Sequence, residues 1–156
     1  MRIIVISDTH QYYRNFETIV LRNPDADMFL HLGDGESEYQ LLCRNMPEVA
    51  DKFRYVKGNC DYSSDAPLTE LIDVAPNHRI LAPHGHRYRV NSTLDYLEQE
   101  ALENGCDVAL YGHTHESRCT YENGIYVMNP GSASCPRDGN PPSYGARAWW
   151  LPAVTA

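Results

Sequence analysis

Arg2-Ile3-Ile4-Val5-Ile6 runs straight into Ser7-Asp8-Thr9-His10, and the design returns at Met28-Phe29-Leu30-His31-Leu32, which runs into Gly33-Asp34. Neither apolar run alternates as a half-exposed strand does, so each reads as a strand buried on both faces. Between them Tyr13, Phe16, Ile19 and Val20 share one helical face, and Asn23-Pro24 ends the helix. A second helix is expected from Ser37 to Asn45, with Leu41 and Leu42 apolar and Pro47 closing it. Phe53 to Val56 is a short third strand before Gly58-Asn59. Strand, helix, strand, helix, strand is the order of a layered α/β domain.

The pattern changes in the second half. Leu68–Ala75 and His78–Ala82, separated by Pro76-Asn77, read as a hairpin. Ser92 is expected to cap a helix that has Asp95 at its third position, Leu94, Leu97 and Ala101 on one face, and Gly105 just past its end. Asp107–Tyr111 is a strand entering Gly112-His113. Ser117–Tyr121 and Ile125–Met128 form a hairpin around Asn123-Gly124. A loop rich in Pro and Gly spans 130 to 145, and Ala146–Leu151 reads as a last strand. With no repeat or linker, one domain is expected over residues 1–156. Of the adjacent Trp149 and Trp150, one is expected in a sheet core. The other faces a helix or a partner subunit, which leaves a homo-oligomer open.

Hydrophobic residues make up 42% of the 156 and charged residues 22%, a soluble globular composition. Lys plus Arg total 13 against 21 for Asp plus Glu, a net charge of −8. That balance argues against a general nucleic-acid or membrane-surface binder. Arg87, Arg89, Arg118 and Arg137 flank polar loops but are scattered. No apolar run nears the roughly 18 residues of a membrane span, and the first residues do not form a signal peptide. Five cysteines at wide, irregular spacing with no CxxC pair read as reduced thiols, so a cytoplasmic protein is expected.

Five polar clusters follow the expected strands: Asp8-Thr9-His10, Gly33-Asp34, Gly58-Asn59, His84-Gly85-His86 and Gly112-His113-Thr114-His115. Strand ends that face one way form the ligand crevice of an α/β fold, where these loops would converge. Asp8 and His10 are two apart, as are His113 and His115, so on an extended strand end each pair points one way. Taken singly, each has a turn or packing reading; His31 and His78 keep theirs, with His31 placed behind the site. Five such clusters at five strand ends are a different matter. Histidines, aspartates and an asparagine together suit nitrogen- and oxygen-ligated transition metals, and seven ligands suit two ions sharing a carboxylate.

In this order the five motifs resemble those of the calcineurin-like metallophosphoesterases, and most closely the small bacterial and archaeal phosphodiesterases. Gly58-Asn59-Cys60-Asp61 and Asn129-Pro130-Gly131-Ser132 are similar to that group. The resemblance implies a four-layer α/β/β/α sandwich with two mixed sheets. It implies one ion on Asp8, His10, Asp34 and His115, and a second on Asp34, Asn59, His84 and His113. A bridging hydroxide would attack phosphorus in line with the leaving oxygen, so Asp34 and Asn59 join the catalytic set. His86 is expected to touch substrate or to support the ligands, and Ser132 to support the site. The group implies two divalent ions, Mn²⁺ first, with Ni²⁺, Fe²⁺ or Zn²⁺ compatible with the same donors. The substrate is then a small phosphate ester or phosphodiester.

Many members of the family carry a histidine after the motif asparagine, and it protonates the leaving group. Cys60 stands there, beside the anionic Asp61, which favours the uncharged thiol. That favours a phosphodiesterase acting on good leaving groups over a protein phosphatase. The alternative is a non-catalytic scaffold like the retromer subunit that shares this fold. That subunit departs from the full ligand set, whereas all seven positions here carry competent ligands.

Overall fold

The computed structural model describes residues 1–148. Strands β1 (Arg2–Ile6), β2 (Met28–His31), β3 (Phe53–Tyr55) and β9 (Gly145–Ala148) form one sheet in the order β3-β2-β1-β9. Its first three strands are parallel and β9 is antiparallel to β1. Strands β4 (Thr69–Ala75), β5 (His78–Pro83), β6 (Val108–Leu110), β7 (Ser117–Glu122) and β8 (Ile125–Pro130) form a second mixed sheet, β4-β5-β6-β8-β7. Both expected hairpins are present. Asn123 and Gly124 take φ of +54° and +83°, the pair of left-handed residues that a tight hairpin turn needs.

The alternation of strand side chains divides the core into three layers. Ile3, Val5, Leu30 and Leu32 meet Ile80, Ala82, Val108 and Leu110 between the sheets. On the outer face of the first sheet, Ile4, Ile6 and Phe29 pack against Phe16, Ile19 and Val20 of α1 (Tyr13–Leu21) and Leu42 of α2 (Glu36–Asn45). On the outer face of the second, Leu81, Ala109 and Val127 pack against Leu97 and Ala101 of α4 (Asp95–Glu103). Helices, sheet, sheet and helix are thus stacked in the expected four layers. No helix among the described residues is long and apolar enough to cross a membrane.

Three local expectations change. Ser92 does not cap α4: its N–H donates to Arg89 O, and the Thr93 hydroxyl accepts from Asp95 N at 3.2 Å. Pro47 does not only stop α2; it begins a one-turn helix, α3 (Pro47–Ala50), where its missing N–H and fixed φ are harmless. Leu41 is exposed and Leu42 alone of that pair reaches the core. The last expected strand is seen as Gly145–Ala148, and the rest of it, with Trp149 and Trp150, lies outside the described residues.

Candidate metal centre

All five clusters lie just beyond strand ends, and their loops come together. The two-residue alternation expected for Asp8 with His10 and for His113 with His115 is not how they converge. β1 ends at Ile6 and β6 at Leu110, and the ligands sit in turns with positive φ: Asp8 +54°, His10 +39°, Asp34 +58°, His113 +68° and His115 +61°. Asp and His tolerate this region better than most residues, yet each instance costs roughly 1–3 kcal/mol. The surrounding hydrogen bonds hold them there.

Glycines let the loops touch. A Cβ on Gly58 would lie 2.0 Å from Asp34 Oδ1, and one on Gly112 would lie 1.9 Å from Ser7 Oγ. The Asp34 carboxylate can therefore approach backbone, and it accepts from Cys60 N at 2.7 Å. Asp8 Oδ2 accepts from the Ser7 hydroxyl at 2.6 Å and from His113 N at 3.0 Å, which links the first cluster to the last.

The orientation of two histidines follows from their outer nitrogens. His84 Nδ1 lies 2.6 Å from Leu32 O and His115 Nδ1 lies 2.8 Å from Cys135 O. A carbonyl only accepts, so each Nδ1 carries the proton and each Nε2 of the neutral ring presents a lone pair. His115 Nε2 faces Asp8 Oδ1 at 3.2 Å and His10 Nε2 at 3.1 Å. His84 Nε2 faces Asn59 Oδ1 at 3.1 Å and Asp34 Oδ2 at 3.5 Å. His10 Nε2 is 3.7 Å from Asp8 Oδ1 and 3.9 Å from Asp34 Oδ2. Asp8 Oδ1 is buried and receives no aligned hydrogen bond.

Acceptors facing acceptors need positive charge between them, supplied by protons or by cations. The titration directions agree. Burial alone would raise Asp8 and Asp34, yet the neighbouring histidines hold both below the ordinary carboxylate range. His115 is raised, first by the bond that its protonated ring would make to Asp8. His84 is raised against its own desolvation by Asp34 and Asp8. Two sets of potential ligand atoms, Asp8 with His10 and His115, and Asp8 with Asp34 and His84, lie within 4.8 Å of one another. The donor set therefore fits divalent cations; Asp8 is common to both sets, and Asp34 Oδ2 lies 3.9 Å from His10 Nε2.

His113 is close but differently engaged. Its ring centroid is 5.2 Å from that of His84, while its Nε2 lies 2.9 Å from Asn91 Nδ2. His86 stands further out, its centroid 5.4 Å from His84, with a buried Nδ1 that has no partner. Cys60 Sγ falls within reach of His10 and Asp34, and burial, then Asp34, pushes its thiol up to about 11, so it stays uncharged at neutral pH.

Behind the ligands lies a support that the sequence reading missed. Asp61 accepts from Asp34 N at 2.9 Å, Gly35 N at 3.2 Å, Glu36 N at 3.2 Å, Gly58 N at 2.8 Å and the Tyr55 hydroxyl at 2.7 Å. It fixes the Asp34 turn and satisfies the start of α2. Glu38, also buried, accepts from Gln11 N and from the Thr9 hydroxyl at 2.9 Å. His31 Nδ1 accepts from Gly33 N at 3.1 Å, so its Nε2–H donates to Thr9 Oγ1 at 3.2 Å. His31 thus sits behind the site as expected, neutral, with burial taking its pKa down to about 4. Asn129 donates to Gly112 O and Thr114 Oγ1, and the Ser132 hydroxyl donates to Asp8 O at 2.7 Å. Only the acidic character of residues 38 and 61, inside otherwise turn-like segments, hinted at such roles.

Residues 1–147 match the family described as the calcineurin-like phosphoesterase superfamily domain. The chain belongs to that superfamily. It is 33% identical over 145 residues to the probable metallophosphoesterase YsnB of Bacillus subtilis, covering 92% of this chain and 82% of the relative. It is 36% identical over 104 residues to the phosphodiesterase YfcE of Escherichia coli, covering 67% of this chain and 56% of that protein. Among solved structures, Vps29 of Entamoeba histolytica superposes with a TM-score of 0.75 at 27% identity, over 94% of this chain and 84% of that one. Membership and the clustered His and Asp groups together support a metal-dependent hydrolase.

Proposed function

We propose that this superfamily member is a binuclear metal-dependent phosphodiesterase. One observation carries the reading: His84 and His115, each anchored by a carbonyl, aim lone pairs at the carboxylates of Asp34 and Asp8. In it, Asp8, His10, Asp34 and His115 hold one ion, and Asp34, Asn59, His84 and His113 hold the other. When bound, two divalent ions supply charge for the phosphoryl oxygens and lower the pKa of a water. Mn²⁺ is the first choice by family likeness, and the oxygen and nitrogen donors accept Fe²⁺, Ni²⁺ or Zn²⁺ as well.

The chain's own groups do the rest. Asp34, fixed by Cys60 N and through its backbone by Asp61, keeps one carboxylate between both ligand groups. Asn59 orients toward the reacting phosphoryl group without adding charge. His86, its ring 5.4 Å from that of His84, offers its outer nitrogen to a non-reacting phosphoryl oxygen. Cys60, held protonated at neutral pH, is a weak proton donor, so esters with good leaving groups are favoured. The similarity to a relative named a phosphodiesterase supports a diester substrate. A cytoplasmic location and a small substrate are part of the same reading.

The test is hydrolysis of bis-p-nitrophenyl phosphate by metal-stripped protein titrated with Mn²⁺, alongside Asp34→Asn. We expect metal-dependent turnover that the substitution abolishes. Folded protein inactive with Mn²⁺, Fe²⁺, Ni²⁺ and Zn²⁺ would favour a scaffold instead.

A further inference from the structure

Beside His10 and Asp34 lies a pocket of about 280 Å³ whose outer lip is Tyr62. Its size is near the roughly 300 Å³ lower bound of small-molecule sites, enough for one ring-sized group. Tyr62 is the most exposed large hydrophobic side chain among the described residues at 85%, and its ring makes no hydrogen bond or ring contact. Its backbone is nevertheless held firmly. Asp61, next to it, accepts five hydrogen bonds, and Ser64 N donates back to Asp61 O at 3.2 Å. The Lys57 ammonium donates to Tyr62 O at 3.4 Å and to Ser64 O at 3.0 Å. A single exposed aromatic is ordinary on a protein surface. An unpartnered one on a fixed loop, at the edge of a reaction centre, is a stacking surface whose backbone has little ordering entropy left to lose.

The remaining walls say what it would stack. Cys60 presents its sulfur, and Ser37 and Ser63 present hydroxyls. Glu36 contributes a carboxylate with no cation paired to it among the described residues, so a second anionic group on the ligand is disfavoured. Glu38 and Asp61 are occupied by the hydrogen bonds described above. A planar, uncharged arm suits this surface; a sugar phosphate or a second phosphate does not.

We infer that Tyr62 is a specificity residue that stacks a planar, uncharged arm of the diester in the pocket formed with Cys60 and Glu36. The inference rests on the phosphodiesterase reading. Base or aryl stacking on an aromatic side chain typically changes affinity by about tenfold or more.

The experiment uses two inert monoanionic diester analogues, the O-methyl monoesters of phenylphosphonate and of methylphosphonate, as competitors of bis-p-nitrophenyl phosphate hydrolysis. Binding is also followed by calorimetry on the Mn²⁺-loaded protein. The phenyl compound is expected to bind about tenfold more tightly to the wild type. Tyr62→Ala should erase most of that margin and leave the methyl compound unchanged, while Tyr62→Phe should keep it. A margin that survives in Tyr62→Ala, or none in the wild type, overturns the inference while metal-dependent turnover leaves the phosphodiesterase reading standing. Loss of affinity for both compounds alike in Tyr62→Ala also overturns it, since that would mark a structural role. Failure of the phosphodiesterase reading shows itself separately, as absent turnover in the wild type.

Discussion

Around Asp8, His10 and His115 the ligand atoms face one another as acceptors, and Asp8 Oδ1 has no aligned donor. Around Asn59, His84 and His113 one atom is taken, His113 Nε2 by Asn91, while Asn59 Oδ1 faces the His84 Nε2 lone pair across 3.1 Å. The first group is also the more buried and the more charged. Asp8 is fully buried, whereas Asn59 is exposed and neutral. Asp34 serves both. A carboxylate oxygen without a competing donor gains more from a cation than a neutral amide oxygen does. The first group is therefore the one prepared for an ion, and in the second the Asn91 amide must turn before His113 can join one.

The largest effect tests that order directly. Calorimetric titration of stripped protein with Mn²⁺ should show two steps, the tighter of which disappears in Asp8→Asn. Activity on bis-p-nitrophenyl phosphate should fall by roughly a thousandfold or more, since an ion at the phosphoryl group is worth several kcal/mol. If the tight step survives Asp8→Asn, the ranking of the two groups is reversed.

A second, smaller effect concerns the wall behind the first group. The chain Gly33 N–H to His31, His31 to Thr9, and Thr9 to Glu38 ties the Gly33-Asp34 turn to the Asp8–Gln11 turn. It works only with His31 neutral, and burial holds its folded pKa at about 4. The unfolded chain binds a proton at His31 below its ordinary value of about 6.5, and the folded chain refuses it until about 4. This contribution to stability is thus complete above pH 6.5, is lost as pH falls toward 4, and levels off below. The loss is about 3 kcal/mol in total. Urea unfolding of metal-free protein across that range should show it in the wild type, and His31→Gln should flatten the slope. An unchanged slope would mean that other groups govern the acid response.

The layers and the meeting of the ligands were legible because they depend on patterns within each segment. Ile3 to Ile6 and Met28 to Leu32 are apolar without alternation, and each ends on a polar motif. What was not legible depends on partners far along the chain. The converging side chains of Asp8 and His10 come from left-handed turns held by Glu38 and by the Ser132 hydroxyl, residues 27 and 124 positions from their partners. Asp61 reads as a turn residue until Asp34, Gly35 and Glu36 are seen to point their N–H groups at it. Ser92 has good capping chemistry, but α4 begins at Asp95, and Leu94 rather than Ser92 stands at its cap position.

Asn91 gives the smallest effect and the finest discrimination. His84 and His115 are anchored through Nδ1, which leaves Nε2 inward; His113 is anchored through Nε2 by Asn91, which leaves Nδ1 as the nitrogen free to ligate. In that arrangement an ion on Nδ1 requires the proton on Nε2, and the Asn91 amide must turn its oxygen toward the ring to accept it. Asn91→Ala should then weaken the second, looser Mn²⁺ step by up to about tenfold, the low end for a ligand's supporting partner because this contact is exposed. Asn91→Asp, a fixed acceptor, should restore or tighten it, and the first step should not move in either variant. A tighter second step in Asn91→Ala would mean the reverse: that Asn91 competes for the ligating nitrogen, and that His113 binds through Nε2 as its two neighbours do.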